Sequence, residues 1–168
     1  GSVNQKNPEF ALEVMKECID KDQSVHALMV GGGDGVKGQL RDKVSSWGLE
    51  NKIVLTGVRT DIAQLMTAAD LLLFPSLAEG LGMVAVEAQS AGLAVLTSDT
   101  TPRECAVIPT MVTFKSINTQ YVDWADETLK LINRPPPDKV ACNYAIKNSP
   151  FSIDNSVRRL MQMYSSDE

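Results

Sequence analysis

The sequence predicts an α/β fold with a doubly wound parallel sheet. Short apolar runs alternate along the chain with segments whose apolar residues recur at helical spacing. With 168 residues, 43% hydrophobic and 22% charged, the chain has the size and composition of one globular domain with a single core. No internal repeat interrupts this order, so the alternation itself defines the architecture.

The elements follow from spacing and from residues that start or stop a helix. Pro8 suits a first helical turn, where a missing N–H is tolerated, and Gly48 closes a helix. Thr60 or Asp61 is expected to cap a short helix, and the proline run 135–137 must end another. The predicted order is helix 8–21, strand 25–30, turn 31–35, helix 36–47, strand 53–56, helix 61–68, strand 71–74, helix 83–91, strand 94–97, edge strand 111–114, helix 121–133, and closing helices 139–147 and 154–164, which form the final region 139–168.

Composition excludes several classes of protein. We interpret Gly1-Ser2 as the remnant of an expression tag and residues 3–168 as a single domain. No apolar run approaches the roughly 20 residues that span a bilayer. The net charge of −5 argues against nucleic acid as a partner. The three cysteines are odd in number and lack paired metal spacing, which is typical of a protein from the reducing cytoplasm.

Two acids flank a strand-to-helix turn and give the chain its most informative stretch. Glu79 and Glu87, separated by seven residues, bracket Gly80, Leu81 and Gly82. An apolar strand precedes this 80–82 turn and a helix follows it, so free N–H groups and the helix dipole favour an anion there. A carboxylate accepts two hydroxyl donors at once. The pattern therefore suits a ligand with central phosphates and hydroxyl-rich ends, such as a nucleotide sugar.

The chain resembles the C-terminal, donor-binding domain of retaining glycosyltransferases of the GT-B fold, in particular the large family 4. The matching blocks, in the order of the family, are Lys6-Asn7-Pro8-Glu9-Phe10, Leu28-Met29-Val30-Gly31-Gly32-Gly33, Leu55-Thr56-Gly57-Val58-Arg59-Thr60-Asp61, Ala69-Asp70-Leu71, Phe74-Pro75-Ser76, Glu79-Gly80, Glu87-Ala88-Gln89-Ser90-Ala91-Gly92 and Thr97-Ser98-Asp99. The resemblance implies a Rossmann-like sheet in strand order 3-2-1-4-5-6. It also implies that the first, central strand lies before Lys6, so we expect an open sheet, a repaired sheet, or a neighbouring molecule in the gap.

The resemblance also implies roles for the two acids and a lysine. Lys6 resembles the lysine that neutralises the donor diphosphate and stabilises the leaving group, although a solvated lysine is the ordinary alternative. Glu79 resembles the acid near the sugar hydroxyls and the reacting centre, and Glu87 the acid that holds the ribose hydroxyls. We therefore predict Lys6 and Glu79 as catalytic residues and Glu87 as a donor-binding residue. The alternatives are a helix-end acid for Glu79 and a surface ion pair for Glu87.

Other residues are predicted to line the donor site. The N–H groups of Gly80, Leu81 and Gly82 would meet the phosphates. The resemblance places Gly31 and Gly33 on the nucleotide side of the cleft, and Arg59 beside the base and ribose. Arg59 could instead pair only with Asp61. Ser76 could bind the donor or merely cap its turn.

The function that the resemblance implies is transfer of a hexose, most simply from a UDP-linked donor, to a glycan or lipid-linked acceptor. It further implies a cytoplasmic protein that needs no metal or other cofactor. The acceptor would bind mainly to an N-terminal domain, which could also bring the protein to the inner face of the membrane, and this chain alone would be inactive. A sugar-phosphate synthase or nucleotide-sugar epimerase of the same fold is one alternative. A dinucleotide-binding domain is another, but the third small position after Gly31 is Val36, and Glu50 precedes a strand instead of ending one.

Overall fold

A computed structural model describes residues 3–32 and 34–165. The strands are β1 (Ala27–Val30), β2 (Ile53–Gly57), β3 (Leu71–Phe74), β4 (Ala94–Ser98) and β5 (Val112–Lys115). The helices are α1 (Pro8–Lys21), α2 (Asp34–Ser46), α3 (Ile62–Ala68), α4 (Met83–Ser90), α5 (Tyr121–Ile132), α6 (Lys139–Lys147) and α7 (Ile153–Ser165), with 3-10 turns at Val3–Lys6, Arg103–Cys105 and Pro109–Met111.

Every predicted helix and strand is present, and the differences concern their ends. The predicted turn 31–35 is wrong in its last part, because α2 already begins at Asp34. The strand predicted from Val25 begins at Ala27. Asp61 precedes α3 as expected but makes no side-chain cap hydrogen bond, since its carboxylate binds Arg59 instead.

All strand pairs are parallel, as predicted, but they form two separate sheets. β1 pairs with β2, and β3, β4 and β5 pair in that order. Within the described residues no ladder joins the two sheets. This is the open arrangement among the three that the sequence allowed. The resemblance places the strand that would precede Lys6 between β1 and β3.

Helix α1 holds the two sheets together. Leu12 and Ile19 pack in one core cluster with residues of α2, β1 and β2. Val14 and Cys18, from another face of the same helix, pack with Leu96 of β4 and with α5. All four of these side chains are almost fully buried. A third cluster fixes α4 against β3, β4 and β5 and positions the loop that precedes α4.

Candidate functional site

Lys6, Ser76 and Glu79 meet at the carboxyl end of β3. The Lys6 ammonium lies 2.5 Å from Glu79 Oε1, and the Ser76 hydroxyl lies 2.6 Å from the same oxygen. The ammonium also lies 4.9 Å from the centre of the Phe74 ring. The Glu79 side chain is 11% exposed, compared with 45% for Lys6. The Lys6 ammonium is therefore accessible, whereas the Glu79 carboxylate, which contacts both Lys6 and Ser76, is largely buried.

Backbone contacts fix Lys6 at this place. The N–H of Leu77 donates to the carbonyl of Gln5 at 2.7 Å, which ties the turn Val3–Lys6 to the loop after β3. Asn7 then adopts a left-handed conformation with φ of 52° and leads the chain into α1. Asparagine tolerates this region better than most residues. The left-handed residue thus lies directly after the predicted diphosphate lysine.

The 80–82 turn has the geometry of an anion site. Among the described residues, the N–H groups of Gly80, Leu81 and Gly82 have no hydrogen-bond partner. Gly82 is the N-cap of α4 with φ of 71°, so the positive end of that helix faces the same turn. A Cβ at Gly82 would lie 2.9 Å from Thr101 Cγ2, whereas a Cβ at Gly80 would meet no atom within 4 Å. A side chain at position 82 would therefore collide with Thr101, whereas a side chain at position 80 would extend into open space.

Glu87 lies on the exposed face of α4. Its carboxylate has no hydrogen-bond or ion-pair partner within the part of the chain that the structure describes, whereas its neighbours Val86 and Ala88 are buried. It borders a groove of about 500 Å³ between α3, α4 and α6, lined by Ile62, Ala63, Met66, Thr67, Glu87, Ser90, Ala91 and Asn143. The groove offers an apolar wall and one unpaired acid, but none of the other predicted site residues lines it.

Arg59 forms the local ion pair that the sequence offered as an alternative. Its Nε donates to Asp61 Oδ1 at 2.8 Å, and its Nη2 donates to Oδ2 at 2.5 Å. The side-chain hydrogen bond from Arg59 lowers the pKa of Asp61, and the reciprocal bond raises the pKa of Arg59. The pair is exposed, and it precedes α3, whose residues line the groove beside Glu87.

Only part of the loop after β1 is described. Gly31 has φ of 100°, and its N–H donates to the carbonyl of Gly57 at 2.8 Å, so the ends of β1 and β2 are tied together. Gly33, the second predicted ligand residue of this loop, lies outside the described residues.

Sequence reasoning missed a group of hydroxyls behind the site. Ser98 and Thr100 both donate to the carbonyl of Ser76, the latter at 2.7 Å. Thr97 donates to the carbonyl of Phe74 at 2.9 Å and contacts Thr101 at 2.8 Å. The signal in the sequence was the run of hydroxyl-bearing residues directly after an apolar strand, at the carboxyl edge where ligands bind.

The structure is an α/β domain in which three unpaired N–H groups precede a helix, in a turn that lies in sequence between two acids. The chain belongs to the glycosyl transferases group 1 family, whose model matches residues 1–134. It is 25% identical over 160 residues to EpsF of Bacillus subtilis (strain 168), named as a glycosyltransferase, covering 95% of this chain and 41% of that protein. It is 32% identical over 105 residues to the UDP-Gal:alpha-D-GlcNAc-diphosphoundecaprenol alpha-1,3-galactosyltransferase of Escherichia coli, covering 61% of this chain and 27% of that protein.

A solved structure confirms the predicted fold class. The crystal structure of HepE from Anabaena in complex with UDP superposes with a TM-score of 0.74 at 20% identity, over 97% of this chain and 46% of that one. The chain thus spans less than half the length of each relative named here. Over the described residues, no helix combines the length and apolar character needed to cross a membrane.

Proposed function

We propose that this chain binds the donor, a UDP-linked hexose, in a retaining glycosyltransferase that extends a glycan or lipid-linked acceptor. The observation that carries the proposal is the 80–82 turn, whose three unpaired N–H groups lie at the start of α4 between the Lys6–Glu79 pair and the unpaired Glu87. A diphosphate fits the turn, and each acid can accept sugar or ribose hydroxyls. The UDP in the HepE complex and the UDP-Gal in the name of the E. coli relative support this choice of nucleotide.

The chemistry follows from where charge develops. When the bond between the sugar and the diphosphate breaks, negative charge grows on the leaving phosphate oxygens. We infer that Lys6 and the N-terminus of α4 stabilise that charge, and that the reaction needs no metal ion. The acceptor would bind to a second domain outside residues 3–168, since the relatives are more than twice as long as this chain. That domain would also account for any contact with the inner face of the membrane in the cytoplasm.

Calorimetric titration with UDP, ADP, GDP and NADH tests the nucleotide. We expect binding of UDP, strongest among the three nucleoside diphosphates, and a smaller response or none with NADH. Binding of NADH in the absence of binding by any nucleoside diphosphate would overturn the proposal in favour of a dinucleotide-binding domain.

Glu87→Gln tests the acid that the structure leaves unpaired. We expect UDP affinity to fall by roughly 1–3 kcal/mol, the scale of hydrogen bonds to a charged group. The melting temperature should not change, because the Glu87 side chain is exposed and makes no hydrogen bond or ion pair among the described residues. Glu50→Gln is the matched control, since Glu50 is also exposed but precedes β2, at the opposite end of the strands. Equal affinities in the two variants would refute the role of Glu87.

A further inference from the structure

Ser76 is a buried hydroxyl in direct contact with the predicted catalytic acid. The residue is 0% exposed, so in this conformation a ligand in the 80–82 turn does not reach it. Its hydroxyl lies 2.6 Å from Glu79 Oε1 and 2.9 Å from the carbonyl of Gln5, the residue before Lys6. The hydroxyl carries a single hydrogen, which goes to Glu79 Oε1, the nearest acceptor, in preference to the carbonyl of Gln5 and that of Ala78 at 3.3 Å.

The backbone of Ser76 is itself held from behind. Its carbonyl accepts hydrogen bonds from Ser98 and Thr100, which together use both lone pairs of the oxygen. Ser98 is 0% exposed, and its hydroxyl also contacts the hydroxyls of Thr100 and Thr101, so the Ser76 carbonyl is held by a connected group of hydroxyls. The end of β4 thereby fixes the position from which the Ser76 hydroxyl reaches Glu79.

The two oxygens of Glu79 have different surroundings. Oε1 accepts hydrogen bonds from the Lys6 ammonium and from the Ser76 hydroxyl. Oε2 has no hydrogen-bond partner among the described residues and is not fully buried. Because Oε1 is occupied by partners within the protein, Oε2 is left to accept a hydrogen bond from a ligand hydroxyl.

We propose that Ser76 is a positioning residue for the donor site. Its hydroxyl orients the Glu79 carboxylate, and that carboxylate in turn holds the Lys6 ammonium beside the 80–82 turn and presents Oε2 outward. This inference rests on the proposed function for the identity of the ligand, but the contacts of Glu79 with Ser76 and Lys6 do not depend on that function. Ser76 itself touches no substrate.

A double-mutant cycle on UDP binding tests the proposal. Ser76→Ala should weaken UDP binding about tenfold, as expected when a hydrogen bond to a charged group is lost. In the Lys6→Gln background the same substitution should cause no further loss, because residues that act through one another are non-additive. Thr97→Val is the matched control: it removes a buried hydroxyl of the same group that contacts Phe74 and Thr101 but not Glu79. Additive losses, or an equal loss in the control, would mean that Ser76 acts only on the fold.

A second measurement needs no nucleotide. Acylation of lysines by acetic anhydride, followed by mass spectrometry, reports how firmly each ammonium is held. Lys6 should react several-fold faster in Ser76→Ala than in the unsubstituted chain, relative to Lys16, whose partner is Asp20. Thr97→Val should leave the Lys6 rate unchanged. An unchanged Lys6 rate in Ser76→Ala overturns the proposal. If instead the unsubstituted chain binds no UDP, the proposed function fails, and the acylation rates still decide the role of Ser76.

Discussion

Replacing Gly82 by alanine tests how the turn before α4 is built. A left-handed φ of 71° costs a non-glycine residue about 1–2 kcal/mol. The new Cβ would lie 2.9 Å from Thr101 Cγ2 and 3.3 Å from Cys105 Cβ. Those residues are 2% and 0% exposed, so neither can move aside freely, and overpacking adds about 1–3 kcal/mol. We expect a total loss of about 2–5 kcal/mol in the free energy of unfolding.

Thermal unfolding measures this loss against a close control. For a domain of this size, 1 kcal/mol shifts the melting temperature by about 2–4 °C, so Gly82→Ala should lower it by roughly 4–20 °C. Gly80→Ala should change it by about 2 °C or less, because no atom lies within 4 Å of its Cβ and its φ is not left-handed. If the two variants have the same melting temperature, neither the left-handed conformation of Gly82 nor its close contact with Thr101 determines the stability of the turn. UDP titration of Gly80→Ala then shows whether a methyl group at this position weakens ligand binding without lowering stability.

Three further predictions follow from the charges, the thiols and the length of the chain. The pKa of Asp61 should lie below its usual value and rise in Arg59→Gln, as measured by NMR titration. Because the pKa is lowered, the contribution of the Arg59–Asp61 pair to stability is present above the ordinary pKa of an aspartate and is lost as the pH falls through the lowered pKa. Burial raises the pKa of Cys18 to about 11, so at pH 8 a thiol reagent should modify it only after unfolding, and rapid native-state labelling would contradict the buried site. The chain alone should transfer no sugar from UDP-hexoses in a mass-spectrometric assay, because a second domain must bring acceptor and donor together, and appreciable turnover would refute this division.

Element positions were most predictable where local chemistry marks an end. The helix predicted over 139–147 matches α6, whose N-cap Asp138 accepts from the N–H groups of Val140 and Ala141. The strand 71–74 also matches β3, since Pro75 follows it directly. The start of α2 was wrong because glycine is a poor helix former in general, yet Gly35 lies within this helix. A propensity of about 1 kcal/mol is small enough for the surrounding chain to override it.

The individual members of the site could be predicted, but their contacts could not. Lys6 and Glu79 were each identified from separate motifs, and the sequence gives no indication that an ion pair joins them across 73 positions. The Arg59–Asp61 pair was foreseeable, because only one residue separates its members. The sequence does not indicate what a hydroxyl at the end of a strand contacts, so the role of Ser98 emerges only when folding brings the end of β4 against Ser76.

The division of the sheet explains why the site forms where it does. β1 pairs with β2 in one sheet, and β3, β4 and β5 pair in that order in the other. The strand order 3-2-1-4-5-6 that the resemblance implies places the reversal of strand order between β1 and β3. In open α/β sheets, a reversal of this kind leaves a crevice at the carboxyl ends of the strands, where ligands bind. Glu79 follows β3 and contacts Lys6 at the entrance to α1, the helix that packs against both sheets. A strand inserted between β1 and β3 would therefore rigidify the two walls of the crevice, and UDP affinity should rise if the sheet is completed.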